Sequence, residues 1–139
     1  MTVKNAPLSS DQINQLVKAA LEVRARAYAP YSHYQVGAAL LTSAGTIITG
    51  CNVENASYGA TICAERSAVV KAVSEGFQRF EAVAVVTQNG GSPCGMCRQV
   101  LYEFNPGMQV ILANAAGTVI HTFTLHNLLP EGFGPAQLE

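Results

Sequence analysis

The chain is poor in charged residues and has no long apolar segment. Charged side chains make up 12% of its 139 residues, whereas about 25% is usual for a globular protein. No apolar run reaches the length of a membrane-spanning helix, about 18 residues, and the polar residues 1–11 do not resemble a signal peptide. We therefore expect a cytoplasmic protein without membrane contacts, and so few charges suggest that an oligomer buries part of its surface.

The sequence also lacks any run of lysine or arginine. Its formal net charge is -1, which argues against binding to the phosphate backbone of a nucleic acid. The four cysteines would suffice for two disulfides in a secreted protein. Without an export signal, reduced thiols that hold a metal are the better interpretation. A length of 139 residues predicts a single domain, residues 1–139, with its own hydrophobic core.

Hydrophobic periodicity and turn signals predict a chain in which helices and strands are mixed. The predicted helices are Ser10–Tyr28, Ile62–Ser74, Cys94–Phe104 and a last helical turn at Leu125–Leu129, and the predicted strands are Val36–Leu41, Thr46–Cys51, Phe80–Thr87, Gln109–Ala113 and Thr118–Phe123. Short turns join the first two strands and the last two, so each pair should be antiparallel. This order predicts an α/β fold with three layers, α/β/α, around a mixed five-stranded sheet.

Two local features refine this prediction. Ser9 and Gln12 have the spacing of a capping box at the start of the first helix. The second helix, Ile62–Ser74, is rich in alanine and valine on nearly all sides, so we expect it to be largely buried.

Three cysteines and one carboxylate stand at the starts of two predicted helices. Cys63 is followed two residues later by Glu65, and Cys94 and Cys97 form a Cys-x-x-Cys pair. Such a pair suits a tetrahedral soft metal, and a third thiol leaves one coordination position for water. Glu65 would act on that water without being a ligand. The pattern therefore predicts one catalytic Zn²⁺ per subunit.

Other interpretations of these cysteines stay open at this point. A Cys-x-x-Cys pair is also typical of thioredoxin-like redox sites, although that chemistry leaves Cys63 and Glu65 without a role. Cys51 would complete a four-cysteine structural zinc site, but such sites normally carry two Cys-x-x-Cys pairs. Inert core cysteines are the third alternative.

Two arginines adjoin the predicted ligands. Three thiolates around Zn²⁺ leave a net negative charge, and helix N-termini carry a partial positive charge that lowers thiol pKa values. Arg66 beside Cys63 and Arg98 beside Cys97 would draw off more of that charge. The alternative for each arginine is a solvated surface position.

Several segments beyond the cysteines match a known family. Cys63-Ala64-Glu65 followed by Pro93-Cys94-Gly95-Met96-Cys97 is similar to the zinc-dependent nucleobase deaminases. Together with Tyr31–Leu40, Gly50–Gly59, Pro93–Leu101 and Leu128–Pro130, these pieces span most of the chain, which resembles the small, homotetrameric cytidine deaminases. The resemblance implies hydrolytic deamination of cytidine and 2′-deoxycytidine, a nucleoside substrate and no nucleic-acid partner.

The resemblance also implies how substrate is held. Asn52 and Glu54 project to one side of an extended segment, with Val53 expected to face the core, and in the family these two positions hold the ribose 3′-hydroxyl. Tyr34 stands where the family usually has a phenylalanine near the pyrimidine, and Gln35 where it usually has proline; a buried tyrosine hydroxyl needs a partner. Alternatively, Asn52 caps a turn, Glu54 is simply exposed and Tyr34 only begins a strand.

Further roles follow from the same resemblance. Glu65 carries protons, and the backbone N–H of Ala64 binds the pyrimidine carbonyl. Phe133, a lone aromatic between glycines, and Tyr58 approach the pocket of an adjacent subunit, so active sites are shared in the homotetramer. The alternative for Phe133 is that its ring covers the core of its own domain.

The functional alternatives are a deaminase of another small base or antibiotic nucleoside, an enzyme that edits polynucleotides, and a structural-zinc module for protein association. Near-neutral charge and short length disfavour polynucleotide editing.

Overall fold

The structure, a computed structural model, describes residues 7–138. Its helices are α1 (Ser10–Arg24), α2 (Ala64–Ser74), α3 (Gly95–Phe104) and α4 (Leu125–Leu128), with 3-10 turns at Tyr58–Ala60 and Pro135–Leu138. Its strands are β1 (Gly37–Thr42), β2 (Ile47–Cys51), β3 (Phe80–Val86), β4 (Gln109–Ala113) and β5 (Val119–Thr124). No helix in this part of the chain is both long and apolar enough to cross a bilayer.

The strands form one mixed five-stranded sheet in the order β2-β1-β3-β4-β5. The hairpins β1–β2 and β4–β5 are antiparallel, as predicted. The central strand β3 pairs antiparallel with β1 and parallel with β4. The connection from β3 to β4 passes through α3, as a parallel pair requires.

Each face of the sheet is covered by helices. On one face, Leu16, Val17 and Ala20 of α1 pack in a cluster that includes Ala84 and Val86 of β3. On the other face, a second cluster joins residues of α2, α3 and α4 to the alternate residues of the same strand, including Val83 and Val85. Because successive side chains of a strand point to opposite faces, β3 is buried on both sides. The predicted α/β/α layering is confirmed.

Two glycines let helices come close to the sheet near the site. A Cβ atom on Gly37 of β1 would overlap the backbone oxygen of Ala20 in α1. A Cβ on Gly50 of β2 would overlap the backbone nitrogen of Ala68 in α2. These close approaches fix α1 and α2 against the end of the sheet where β3 leads into the segment before α3.

The predicted start of α1 is correct, whereas the predicted end, Tyr28, is wrong. The capping box is present: Gln12 N donates to Ser9 Oγ over 3.1 Å, and Ser9 N donates to Gln12 Oε1 over 2.9 Å. The helix ends at Arg24 because the Tyr28 backbone pairs elsewhere, its N–H donating to Asn52 O and its carbonyl accepting from Glu54 N.

The second helix is less buried than predicted. Ala64, Ala68 and Ala72 are fully buried, but Val70 is 55% exposed and Val73 is 40% exposed. The prediction followed the abundance of alanine and valine, whereas only one side of the helix packs on the sheet. In the single chain, α2 therefore presents apolar surface to solvent.

Candidate active site

The helix starts of α2 and α3 bring three thiols together. Cys63 is the N-cap of α2 and Cys94 is the N-cap of α3, while Cys97 lies in the first turn of α3. The Sγ atoms of Cys63 and Cys94 are 3.9 Å apart, and those of Cys94 and Cys97 are 3.4 Å apart. All three sulfur atoms lie within 4.8 Å of one another. Residues separated by a whole helix and strand thus meet at one point.

The thiol cluster fits one zinc ion per subunit. A tetrahedral zinc ion with Zn–S bonds of about 2.3 Å holds its sulfur ligands about 3.8 Å apart, within the range of separations seen here. An all-sulfur donor set favours soft metals such as zinc over magnesium or calcium. Among the described residues, Cys51 is not part of this group, which argues against a four-cysteine structural site.

The three thiols influence one another's ionisation. A hydrogen bond with Cys97 is the largest influence that lowers the pKa of Cys63, to about 5, and hydrogen bonds with Arg66 and Cys94 contribute. The same bond with Cys63, together with burial, raises the pKa of Cys97. The two shifts have opposite directions, so Cys63 loses its proton more readily than Cys97 does.

Arg66 lies against the thiol cluster. Its Nη2 donates to Cys63 Sγ over 3.6 Å and to the carbonyl oxygen of Thr61 over 3.3 Å, and the bond with Cys63 is the main cause that raises the pKa of Arg66. Its Nε is buried without a hydrogen-bond partner among the described residues. A cation in this position stabilises thiolate ligands.

Arg98 was expected to draw charge from the thiolates, whereas in the structure its guanidinium binds oxygen atoms. Each of its three side-chain nitrogens donates to an oxygen: Nε to Pro93 O over 2.8 Å, Nη1 to Leu128 O over 2.7 Å and Nη2 to Ser92 Oγ over 2.9 Å. These bonds join the loop before Cys94 to the C-terminal segment. Its guanidinium therefore supports the position of Cys94 through the backbone.

Glu65 is buried beside the thiols. It is the second residue of α2 and only 4% exposed. Burial is the main cause that raises the pKa of Glu65 to about 7, and the negative charge of Cys63 adds to this effect. A carboxyl group with a pKa near neutrality can both accept and release a proton at physiological pH.

A cavity of about 310 Å³ opens above this cluster. Its size falls within the range of small-molecule sites, about 300–1,000 Å³. The cavity is lined by Cys63, Cys94 and the predicted site residues Tyr34, Asn52, Glu54, Ala64 and Glu65. The structure thus brings together in one cavity residues from four separate segments of the chain.

Sequence reasoning missed several polar residues of the same cavity. Thr61, Thr87 and Ser92 also line it. Thr87 directly follows the central strand β3, and polar residues at strand ends commonly face ligand sites in α/β folds. The position of Thr87 at the end of a strand was therefore the sequence signal that could have identified it.

Asn52 supports the wall of the cavity. Its Oδ1 accepts from Val36 N and its Nδ2 donates to Tyr34 O, both over 2.8 Å, and the residue is 8% exposed. The amide nitrogen has a second hydrogen, which leaves it able to donate to a ligand.

The neighbouring Val53 is 43% exposed, so the prediction that it faces the core is wrong. Its backbone bridges to Tyr28 and to Ile62, which turns its side chain outward.

Glu54 holds the turn at the mouth of the cavity. Its Oε1 accepts from Tyr31 N over 2.9 Å and from Ser32 N over 3.1 Å, and its Oε2 accepts from Ser32 Oγ. The hydrogen bond from the Ser32 side chain is the main cause that lowers the pKa of Glu54. The carboxylate is therefore ionised at neutral pH and can accept a further hydrogen bond.

Tyr34 also lines the cavity. Its hydroxyl donates to Asn89 Oδ1 over 3.1 Å, which provides the partner that a tyrosine needs at this position. The residue is 40% exposed and contributes to the cavity lining.

Tyr58 and Phe133 lie outside the cavity of their own chain. Tyr58 is 74% exposed and packs edge-on against Tyr31, with ring centroids 5.9 Å apart. It borders a second recess of about 380 Å³ that shares Ser32, Glu54 and Thr61 with the first. Phe133 is 54% exposed, so its ring does not cover the core. Its carbonyl accepts from Gln99 Nε2 over 2.8 Å.

The fold and the site together define a class of protein. A buried glutamate beside three cysteine ligands at helix starts is the arrangement of zinc-dependent deaminases that act on nucleobases. The family model of the cytidine and deoxycytidylate deaminase zinc-binding region matches residues 10–113. The chain belongs to the cytidine and deoxycytidylate deaminase family.

Individual relatives match along nearly the whole chain. A cytidine deaminase from Sporosarcina psychrophila is 48% identical over 129 residues, which cover 91% of this chain and 94% of the relative. One from Mycobacterium tuberculosis is 43% identical over 123 residues, covering 87% and 89%. A crystal structure of cytidine deaminase from Burkholderia pseudomallei superposes with a TM-score of 0.83 at 44% identity, covering 91% of this chain and 100% of that one. The resemblance stated from the sequence motifs is confirmed.

Proposed function

We propose that this protein converts cytidine and 2′-deoxycytidine to uridine and 2′-deoxyuridine, releasing ammonia. The observation that carries the proposal is the buried Glu65 beside three convergent thiols at the base of a cavity large enough for a small ligand. The names of its relatives, cytidine deaminases that match along most of the chain, support the same reaction.

Glu65 is the proton carrier in the proposed mechanism. Cys63, Cys94 and Cys97 would hold the Zn²⁺ ion, which would make a water molecule nucleophilic at neutral pH. Glu65 takes a proton from that water, whose oxygen bonds to C4 of the pyrimidine. The carboxyl then delivers that proton to N3, and the proton of the new C4 hydroxyl passes through the same carboxyl to the amine, so that the C4–N bond breaks and ammonia leaves. One water enters and one ammonia leaves, so the exchange is balanced.

The substrate is oriented by groups on two sides of the cavity. The free amide hydrogen of Asn52 and the carboxylate of Glu54 suit the 3′-hydroxyl of the sugar, as donor and acceptor respectively. Ala64 is the first residue of α2, and its backbone N–H has no acceptor within the helix. We assign that N–H to the pyrimidine carbonyl.

We assign to Arg66 the stabilisation of the thiolates and to Arg98 the support of the Cys94 loop. Arg66 is hydrogen-bonded to Cys63 Sγ, and Arg98 to Pro93 O. Removal of Arg66 should therefore affect metal affinity directly, since its cation faces a ligand sulfur.

The assembly that we propose is a cytoplasmic homotetramer of single-domain subunits. The sequence is only 12% charged, and Val70 and Val73 expose apolar surface on α2. Tyr58 and Phe133 are also exposed in the single chain, which suits side chains that complete the pocket of a neighbouring subunit. No nucleic-acid or membrane partner is part of this proposal.

The decisive test of the reaction is an ultraviolet assay of cytidine deamination with the zinc-loaded protein. We expect turnover that disappears on chelation and returns when zinc is added, together with release of ammonia. Absence of uridine formation by a folded, zinc-loaded protein would refute the proposed function. Parallel assays with 2′-deoxycytidine and other aminated bases define the substrate range.

A further inference from the structure

We propose that Tyr34 is a positioning residue whose hydroxyl fastens the two walls of the nucleoside pocket together. This inference rests on the proposed function, because it concerns how the same cavity holds a nucleoside. Its observable consequence is tighter nucleoside binding with no change in the chemical step.

On the first wall, the Tyr34 backbone is held at both of its polar atoms. Its N–H donates to Ser32 Oγ over 3.0 Å, and its carbonyl accepts from Asn52 Nδ2 over 2.8 Å. Ser32 is itself fixed by Glu54. The ring of Tyr34 therefore projects from a segment that the two proposed sugar-binding residues, Asn52 and Glu54, hold in place.

On the second wall, the Tyr34 hydroxyl reaches the segment that follows β3. It donates to Asn89 Oδ1 over 3.1 Å, and the same oxygen lies 3.5 Å from Thr87 Oγ1. Thr87 Oγ1 accepts from Gly91 N over 2.8 Å. This segment continues directly to Cys94, a metal ligand. One hydroxyl thus links residues that are 55 positions apart in the chain.

A second bridge spans the same two segments. Arg24 Nε donates to Gln35 O over 2.9 Å, and Arg24 Nη2 donates to Gln88 Oε1 over 3.2 Å. Two adjacent residues, Tyr34 and Gln35, are therefore joined to two adjacent residues, Gln88 and Asn89. Paired bridges of this kind restrain the spacing of the walls more than either would alone.

The segment after β3 also leaves room for the hydroxyl. A Cβ atom on Gly91 would lie 3.2 Å from Tyr34 Oη, which is tighter than an ordinary contact, whereas the distances to Asn89 Oδ1 and Thr87 Oγ1, 3.6 Å and 3.8 Å, would be ordinary. The Gly91 backbone does not need a positive φ. The hydroxyl is thus the tightest contact that an alanine at this position would meet.

The effect on binding follows from preorganisation. A pocket whose walls are fixed in advance does not lose conformational entropy when the nucleoside enters. Glu65 and the three thiols stand at the starts of α2 and α3, and they make no hydrogen bond to the Tyr34 hydroxyl among the described residues. Loss of the bridge should therefore weaken binding while the bound substrate reacts at the normal rate.

The first experiment compares Tyr34→Phe with the unchanged protein, both loaded with zinc. A hydrogen bond contributes about 0.5–1.5 kcal/mol, so KM for cytidine and the dissociation constant of uridine, measured by calorimetry, should rise about 2- to 12-fold. The kcat and the zinc content should not change. Tyr28→Phe is the matched control, because Tyr28 is 55% exposed and does not line the cavity. This variant should have the same KM, kcat, uridine affinity and zinc content as the unchanged protein.

The second experiment separates a bridge from a direct contact with substrate. If the hydroxyl acts through Asn89, then Asn89→Ala should weaken uridine binding as Tyr34→Phe does, and the double variant should be no worse than either single one. Gly91→Ala should weaken uridine binding when Tyr34 is present. The same substitution should cause a smaller loss of affinity in the Tyr34→Phe protein, which lacks the hydroxyl. Equal affinities of Tyr34→Phe and the unchanged protein, or additive losses in the double variant, would overturn the inference. An unchanged protein that neither deaminates cytidine nor binds uridine would instead refute the proposed function.

Discussion

The two ends of the cavity differ in how complete they are within one chain. At the metal end, Glu65 is 4% exposed and Cys97 is fully buried, and the ligands come from two adjoining helix starts. At the open end, Tyr31 is 47% exposed and Tyr58 is 74% exposed, beside a recess that only a few residues border. The groups that fit a metal therefore converge within one chain, whereas the other end of the cavity stays open in the single chain.

This difference has a physical origin. Glu65 and Cys97 are withdrawn from water because α2 and α3 pack on the central sheet, although Cys94 is exposed. The mouth needs an opening through which a ligand can enter, and in the proposed homotetramer a neighbouring subunit would close that opening. Substitutions at the two ends should therefore have different consequences, which the following predictions separate.

The largest effect is expected at Glu65. Glu65→Gln preserves the shape of the side chain but cannot shuttle protons, so turnover should fall at least 10²–10⁴-fold, roughly the usual contribution of general acid–base catalysis. Zinc content and thermal stability should be retained. Near-normal turnover by a zinc-loaded Glu65→Gln protein would remove Glu65 from the mechanism.

A smaller loss is expected at Arg66. Arg66→Ala removes the cation that contacts Cys63 Sγ, and partners of metal ligands commonly contribute about 10–100-fold in metal affinity or activity. Zinc affinity should be measured by competition with a chromogenic chelator. Arg26→Ala, at an exposed position, is the matched control. If both variants bound zinc as the unchanged protein does, Arg66 would be an ordinary surface charge.

Burial of Glu65 should also affect stability in the metal-free protein. Folding raises the pKa of Glu65 from 4.5 to about 7, so the folded state binds more protons than the unfolded state between these values. The contribution of Glu65 to the free energy of unfolding should therefore decline as pH rises from 4.5 to about 7 and level off above, while the lowered pKa of Cys63 acts in the opposite direction above about pH 5. Glu65→Gln should remove this decline and raise stability at pH 8 by about 3 kcal/mol, with no gain at pH 4. Denaturant titrations of the two metal-free proteins check this; equal pH dependence would contradict it.

Sequence patterns predicted the metal end better than the open end. Cys63 and Glu65 lie in one short motif and Cys94 and Cys97 in another, and within each motif the spacing along the helix start determines the spacing in space. Periodicity also predicted strand β4 with its observed limits, Gln109–Ala113. The end of α1 and the outward side chain of Val53 were predicted wrongly, because both depend on backbone pairing between Tyr28 and the distant segment around Val53.

The bridge from Tyr34 to Asn89 illustrates the same limit. The sequence showed only that a tyrosine hydroxyl needs a partner, and that partner lies 55 positions away. Its identity depends on the pairing of β1 with β3, which places Gly37 opposite Val86. Local patterns do not contain that register. The same reasoning applies to Phe133, whose proposed contact belongs to another chain.

The most direct test of the division between the two ends is subunit mixing. Phe133→Ala and Glu65→Gln subunits are unfolded together, refolded with zinc and verified as mixed assemblies by native mass spectrometry. If Phe133 acts on a neighbouring pocket, some sites combine an intact Glu65 with the neighbour's intact Phe133, and activity should exceed the sum of the separate proteins. Mixing Glu65→Gln with Cys97→Ala should give no gain, because both residues belong to the same chain's metal end. No gain in verified Phe133→Ala mixtures, or a gain in the control mixtures, would contradict the account.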